Sequence, residues 1–190
     1  MIAKIVGIGL LASGITAGVS ANVTGVAEGA AVDPATGIAL PAGFKATVFA
    51  DGVGPVRHIV AADNGWVYGA LFRKKDGMGA VAMRDNDGDG ISDETEYFAA
   101  DMQGTGIGVY DGYLYYGTDT AVMRWPLPTS GAPKGDATMI AVGFNKETQH
   151  ATKNMAFDGK GGLYVNVGAP SNACMREMRT KGSPGMRPCP

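Results

Sequence analysis

One loop of the chain spaces its oxygen ligands in the manner of a calcium site. Residues 85–96 read Asp-Asn-Asp-Gly-Asp-Gly-Ile-Ser-Asp-Glu-Thr-Glu, which fits the pattern D-x-D-x-D-G-x5-E. Alternating carboxylates and a backbone carbonyl supply the hard oxygen ligands that Ca²⁺ prefers, and glycine permits the sharp turn between them. The predicted ligands are the side chains of Asp85, Asp87, Asp89, Asp93 and Glu96 and the carbonyl of Ile91.

This loop differs from an EF-hand in its register and its flanks. Ile91 stands at the seventh position, whereas the hydrophobic residue of an EF-hand loop stands at the eighth. The flanking residues 80–84 and 97–100 have the composition of strands rather than helices. We therefore interpret the segment as a calcium-stabilised loop between two strands. The alternative is an acidic, glycine-rich hairpin loop that binds no metal.

The two histidines of the chain are candidates for proton transfer, because a neutral imidazole can accept a proton from a hydroxyl near neutral pH. His150 stands shortly before a strand-forming stretch at 154–157, and His58 lies at the start of an earlier one. Arg57, Gln103 and Lys153 stand in comparable places. A structural role for each histidine and a solvated position for the other three are the alternatives.

A recurring phrase indicates the elements that position these residues. Residues 56–68, 106–115 and 154–164 each read as a strand, a tight Asp/Asn/Gly turn and a second strand, and Tyr68, Tyr115 and Tyr164 fall 47 and 49 residues apart. Four-stranded repeats of about 40–50 residues are typical of a β-propeller. The first strand of each blade lies innermost, so residues just ahead of it face the mouth of the central channel.

The predicted fold is therefore all-β, a partial β-propeller over residues 40–190. Its blades are expected at about 44–100, 104–145 and 150–190, with the last one incomplete. Two and a half to three blades are fewer than the roughly four to eight that close a propeller. The sequence thus predicts a piece of a longer protein, or a chain that closes by association.

The start of the chain and its composition indicate export and a small partner. Residues 1–21 combine Lys4, a glycine-interrupted apolar run and a small-residue cleavage pattern, which predict a signal peptide rather than the alternative membrane anchor. Residues 22–39 are expected to be a flexible leader. A net charge of −2 with 18% charged residues gives no nucleic-acid footprint. We expect a periplasmic or secreted protein.

The two cysteines, Cys174 and Cys189, lie in a tail rich in proline and glycine. In an oxidising compartment they are a plausible disulfide pair. Two unpaired thiols are the alternative, and their spacing fits no metal site.

Five segments together resemble the sorbosone dehydrogenase family, which belongs to the soluble quinoprotein aldose dehydrogenases. They are residues 40–44, Arg57-His58, residues 84–90, residues 150–153 and residues 163–174, and they occur in the order that the family shows. The resemblance runs from about Leu40 to Pro190.

The resemblance implies a six-bladed, exported propeller that binds pyrroloquinoline quinone and calcium in its central cleft and oxidises sugars or other aldoses. His150 matches the family's general base, and hydride passes to the quinone, from which an external acceptor such as cytochrome c or the quinone pool takes the electrons. Gln103 matches a family glutamine only loosely. The family's quinone-carboxylate and cofactor-calcium ligands lie in later blades, so the chain alone is not expected to be active.

Fold alone leaves another function open. A non-catalytic secreted propeller that binds carbohydrate or protein, with calcium serving stability, fits the same sequence, because propellers host many unrelated functions. A calcium-dependent adhesion module is a third interpretation, which only the acidic loop supports.

Overall fold

The computed structural model describes residues 5–10, 31–34, 36–144, 151–168, 175–177 and 179–185, and within these ranges it contains strands and no helix. The all-β prediction is confirmed. The strands are β1 (Ile5–Leu10), β2 (Ala31–Val32), β3 (Ala39–Leu40), β4 (Phe44–Ala50), β5 (Val56–Ala61), β6 (Val67–Lys75), β7 (Met78–Arg84), β8 (Glu94–Ala100), β9 (Gly104–Tyr110), β10 (Tyr113–Thr118), β11 (Ala121–Pro126), β12 (Thr138–Val142), β13 (Met155–Phe157) and β14 (Leu163–Val165).

Two four-stranded antiparallel sheets form the centre of the molecule. One has the order β5-β6-β7-β8 and the other β9-β10-β11-β12, so every strand pairs with its neighbour in sequence. The tight turns that the sequence predicts close these hairpins. Between β9 and β10, for example, Asp111 and Gly112 adopt φ values of 47° and 75°, as a type I′ turn requires. The strands expected in the first two repeats are present, and neither sheet is closed.

The main hydrophobic core lies between these two sheets. Alternating residues of β6 and β7, including the fully buried Tyr68, face Ile107, Leu114 and Tyr116 of the second sheet. Phe98 packs edge-on against both Tyr68 and Trp125, with ring centroids 6.1 and 5.7 Å apart. Each large side chain buried in this way stabilises the fold by about 1.5–3 kcal/mol, so this interface fixes how the two sheets sit against each other.

The opposite face of the first sheet has a separate core. Leu71, Val81 and Met83 point to this side and are fully buried by Phe49 and Ala50 of β4 and by Val53. β4 lies outside the β5–β8 sheet and pairs antiparallel with β1, which falls in the segment predicted as a signal peptide. Both faces of the first sheet are therefore covered.

Part of the segment predicted to be a flexible leader forms a small hairpin. β2 pairs with β3, and the Asp33 carboxylate closes the turn between them by accepting hydrogen bonds from the Thr36 amide and hydroxyl. An aspartate bonded to nearby backbone in this way is a turn-forming device.

The third repeat contributes the short pair β13–β14, which packs on the second sheet. Phe157 of β13 stacks on Tyr110, with ring centroids 4.9 Å apart and planes 8° apart, and it also contacts Tyr115. The two strands expected here are present, and an isolated bridge between Met175 and Gly185 follows them.

Among the described residues no helix of the length and apolarity needed to cross a membrane is found.

Candidate functional site

The first strands of the three repeats run in the same direction, so their starts share one end of the molecule. Lys153, just before β13, lies beside Gly106 near the start of β9, and Phe157 at the end of β13 lies beside Tyr110 at the end of β9. The Gln103 amide, just before β9, donates to the carbonyl of Phe72. The Phe72 amide in turn donates to Pro55, just before β5. We call this end, where β5, β9 and β13 begin, the leading end.

A buried tyrosine ties the two large sheets together at the leading end. The Tyr116 hydroxyl lies 3.0 Å from the carbonyl oxygen of Gly79 at the start of β7 and 3.2 Å from that of Gly104 at the start of β9. Burial in this interface raises the pKa of Tyr116 above its ordinary value, because the phenolate would lose its hydration. The hydroxyl therefore stays protonated and continues to donate.

Arg57 and Gln103 meet at Phe72, a residue that no sequence pattern singles out. Arg57 is an extra residue in β5, because Val56 pairs with Leu71 while His58 already pairs with Ala70. Such a bulge redirects a side chain, and the Arg57 guanidinium carbon lies 5.6 Å from the centroid of the Phe72 ring. The Gln103 amide nitrogen is 2.6 Å from the Phe72 carbonyl oxygen. Phe72 itself is 46% exposed.

His58 is half-buried and faces the second sheet. Its Nδ1 is buried and has no hydrogen-bond partner among the described residues, and the same holds for the hydroxyl of Thr105 on β9. The alternation of β5 and β9 directs both side chains into the interface between the two sheets. No pattern in the sequence distinguishes Thr105, because its significance depends on the pairing of two distant strands.

Lys153 is fully buried against the second sheet. Its backbone carbonyl presses on Gly106 and Gly117, where a Cβ atom at either position would overlap it. Its ammonium group donates to the Ala151 carbonyl at 3.1 Å. A buried ammonium is stable only when its hydrogen bonds are satisfied, and the Ala151 carbonyl supplies one acceptor.

The predicted calcium loop contains a cluster of three carboxylates. Asp85, Asp87 and Asp89 each offer one oxygen, and these oxygens all lie within 4.8 Å of one another. Asp85 accepts hydrogen bonds from the amides of Gly88 and Gly90, at 2.6 and 2.7 Å. These two bonds hold the pKa of Asp85 below its ordinary value, so the carboxylate remains charged in mildly acidic solution.

The other predicted calcium ligands are placed differently. The Asp93 carboxylate accepts from the Asn86 amide at 2.7 Å, and the Glu96 carboxylate accepts from the Ala132 amide at 3.0 Å. Neither belongs to the three-carboxylate cluster. Ile91 is 50% exposed, and its amide donates to Asp89. The structure thus brings together three of the five predicted carboxylate ligands.

The 85–96 loop lies at the far end of the first sheet from the leading end. β7 begins beside Gly104 and runs away from it, and the loop follows the last residue of β7, Arg84. The loop is anchored to β4, because the Ser92 amide donates to the Phe49 carbonyl and a Cβ atom at Gly90 would lie 3.3 Å from Thr47. It is therefore spatially separate from Arg57, Gln103 and Lys153.

Three predicted residues, His150, Cys174 and Cys189, lie outside the described residues.

Comparison of the chain with protein-family models, curated proteins and solved structures gives no match.

Proposed function

We propose that this chain supplies the first blades of an exported β-propeller quinoprotein that oxidises sugars. The repeated hairpins, the two consecutive four-stranded sheets and the sideways contact of β5, β9 and β13 are the arrangement that successive propeller blades require. The sequence resemblance to sorbosone dehydrogenases supports six blades in the complete ring and a periplasmic location.

The observation that carries the proposal is the shared leading end of β5, β9 and β13. It brings Arg57 and Gln103 together at Phe72, with His58 in the adjoining interface between the sheets, and seats Lys153 on the neighbouring sheet. In a propeller this end opens onto the central channel, where ligands bind. Two cations, an imidazole and an amide there are suited to a polar, anionic cofactor and a hydroxylated substrate.

The residues at this end fit part of a site for pyrroloquinoline quinone. The quinone carries carboxylates, and the exposed Arg57 guanidinium is the kind of group that carboxylates need. When bound, the quinone accepts hydride from the substrate carbon. Its calcium and most of its carboxylate contacts are assigned to later blades.

In the proposed reaction His150 removes the proton from the substrate hydroxyl while hydride leaves the carbon that bears this hydroxyl. Gln103 offers its amide oxygen to a second hydroxyl and orients the sugar. Lys153 fixes the entry into β13 by packing on Gly106 and Gly117, and thereby holds the segment that carries the base.

Calcium has a second, structural place in this proposal. The Asp85, Asp87 and Asp89 carboxylates would hold one Ca²⁺ in the β7–β8 loop, with remaining positions filled by a backbone carbonyl or by water. Because the loop lies away from the leading end, this ion would stabilise the fold and take no part in oxidation. A disulfide between Cys174 and Cys189 would close the tail in the periplasm.

The test uses the polypeptide translated from the complete reading frame, loaded with the quinone and Ca²⁺. Reduction of an electron-accepting dye by aldoses should fall by about 10²–10⁴-fold in His150→Ala, the usual contribution of a general base, while quinone binding measured by absorbance stays unchanged. His58→Ala is the matched imidazole control and should retain most of the turnover. Full turnover in His150→Ala would refute the assignment of the base.

A non-catalytic carbohydrate-binding propeller is the second candidate, which the exposed Phe72 ring beside Arg57 favours. Aromatic rings flanked by polar groups bind sugars without any chemistry. Quinone titration separates the two functions, because a pure binding module would leave the quinone spectrum unchanged.

A further inference from the structure

β4 lies on the side of the first sheet where the ring must close. The first sheet packs one face on the second sheet, with Tyr68 in the interface. Its opposite face is covered by Phe49 and Ala50 of β4. Each blade of a closed propeller packs between two neighbours, so in the complete ring this opposite face belongs to the interface with the last blade. β4 therefore occupies part of the place of the last blade.

β4 also runs in the direction of an outermost blade strand. A Cβ atom at Gly90 in the 85–96 loop would lie 3.3 Å from Thr47 of β4. Just after β4, the Gly52 carbonyl accepts a hydrogen bond at 2.9 Å from the ammonium group of Lys75, which ends β6 at the leading end. β4 thus runs toward the leading end, as the edge strand β8 does. A strand placed beside β4 in the last blade must be antiparallel to it, as β7 is to β8.

β1 occupies this neighbouring place. It pairs antiparallel with β4 along all six of its residues. A register shift leaves Phe49 outside the pairing, and the Phe49 carbonyl accepts from the Ser92 amide at 2.8 Å instead. Ser92 lies between β7 and β8, so this bond ties β4 to the outer part of the first sheet. β1 therefore has the direction and the pairing that a strand of the last blade requires.

We propose that β1 is an autoinhibitory strand, which fills the edge of β4 that the last blade needs and keeps the ring open until residues 1–21 are removed. This inference rests on the proposed function, in which those residues are a signal peptide and later blades complete the ring. One edge of a strand pairs with one neighbour at a time, so β1 and the last blade compete for β4. Loop-closure entropy favours β1, because only residues 11–43 separate it from β4, whereas the whole ring separates β4 from the last blade.

The consequence is that the quinone binds only after export. The proposed cofactor contacts are divided between the leading end and the later blades, and an open ring does not bring them together. Removal of residues 1–21 takes away the competing strand, while β4 keeps its packing on Leu71, Val81 and Met83. One cleavage then permits both ring closure and cofactor binding.

Hydrogen–deuterium exchange of the whole chain tests the pairing itself. The double substitution Gly7→Pro with Ile8→Pro, the β1 proline pair, should accelerate exchange at residues 44–50 at least tenfold. Adjacent amides of a strand point to opposite edges, so one of the two prolines removes a bond to β4. Ala17→Pro with Gly18→Pro, the control proline pair, changes the same leader outside β1 and should leave this exchange unchanged. The fluorescence of the two buried tryptophans should not change in either variant, because β1 lies outside both four-stranded sheets.

The polypeptide translated from the complete reading frame tests ring closure. The precursor is purified after expression without export, and the processed form after export. The processed form should bind pyrroloquinoline quinone at least tenfold more tightly than the precursor and have a smaller hydrodynamic radius. The β1 proline pair should bring the precursor close to the processed form in both measurements, and the control proline pair should not. Equal compactness of precursor and processed form, an equal effect of both proline pairs, or unchanged exchange at residues 44–50 in the β1 proline pair would each overturn the inference.

The proposed function fails separately. If neither form binds the quinone while the β1 proline pair still makes the precursor as compact as the processed form, the autoinhibitory strand stands and the quinoprotein assignment is wrong. If the precursor and the processed form bind the quinone equally tightly, the quinoprotein assignment stands and the autoinhibitory strand is wrong.

Discussion

Replacing Tyr116 by phenylalanine tests how the leading end is held together. The substitution deletes one buried hydroxyl and leaves the ring, so packing in the core is preserved. The lost group lies within hydrogen-bond distance of the carbonyls of Gly79 and Gly104, on two different sheets. A net hydrogen bond contributes about 0.5–1.5 kcal/mol, and a buried carbonyl left without a donor adds to the cost. We expect the free energy of unfolding to fall by about 1–2 kcal/mol.

Urea denaturation of the whole chain measures this loss, followed through the fluorescence of the buried Trp66 and Trp125. The equivalent shift in melting temperature is about 2–8 °C for a chain of this size. Tyr164→Phe is the matched control, because it makes the same chemical change on a tyrosine that is 65% exposed. That variant should stay within about 0.5 kcal/mol of the parent.

The two variants together also report on how firmly the backbone is held at the leading end. Gln103 lies next to Gly104, and its carbonyl accepts from the Asp119 amide at 2.9 Å. Loosening Gly104 should therefore accelerate hydrogen exchange at Asp119 in Tyr116→Phe and leave it unchanged in Tyr164→Phe. Equal stability of the two variants, with equal exchange at Asp119, would refute the role of Tyr116 as the tie between the sheets.

Four further predictions follow from the same structure. The pKa of Tyr116 is raised in the folded state, so the contribution of its neutral hydroxyl to stability is complete below the ordinary pKa near 10 and is lost as the pH rises beyond that value. Urea midpoints measured between pH 8 and 11 should therefore show a smaller alkaline loss of stability in Tyr116→Phe than in the parent. The pKa of Asp85 is lowered in the folded state, so the contribution of its carboxylate to stability is present above the ordinary pKa near 3.8 and is lost as the pH falls through the lower folded value. In acid titrations of stability, Asp85→Asn should remove this part of the loss. Addition of about 10 mM Ca²⁺ should stabilise the chain by about 1.4–2.7 kcal/mol, the gain expected from the affinity of extracellular calcium modules. Asp87→Asn should remove this gain. Asp158→Asn is the control and should retain it, because among the described residues the turn of Asp158 carries no carboxylate cluster. Gly106→Ala should lower the free energy of unfolding by about 1–3 kcal/mol and expose β13 to hydrogen exchange, because the new methyl group meets the rigid Lys153 carbonyl. Gly108→Ala is the control and should lower it less, because its methyl group meets only the ring edge of Phe157.

The strands of the first two repeats could be read from the sequence because the signals are local. Alternating apolar residues and Asp-Gly turns determine hairpins over about ten to fifteen residues, and both predicted four-stranded repeats are found as four-stranded sheets. The hairpin at Asp33 was missed because a single carboxylate, bonded to Thr36, decides it within a segment that otherwise lacks pattern.

The candidate site could be predicted from the sequence only in part. The sequence identifies Arg57 and Gln103 as polar residues at strand starts, but their meeting at Phe72 depends on two sheets packing in one register. Glu96 shows the same limit of prediction from sequence, because a contact with a distant segment decides what its carboxylate binds. The loop pattern makes it a calcium ligand, yet the neighbouring segment at Ala132 lies close enough to engage its carboxylate.

The most direct test of a functional leading end is hydrogen–deuterium exchange of the complete polypeptide with and without the quinone and Ca²⁺. We predict new protection at residues 56–58, 103–105 and 151–153, where β5, β9 and β13 begin, in the presence of the quinone, and protection of the 85–96 loop by Ca²⁺ alone. Protection by the quinone confined to the 85–96 loop or to the outer strands β8 and β12, or no quinone-dependent protection anywhere, would contradict it.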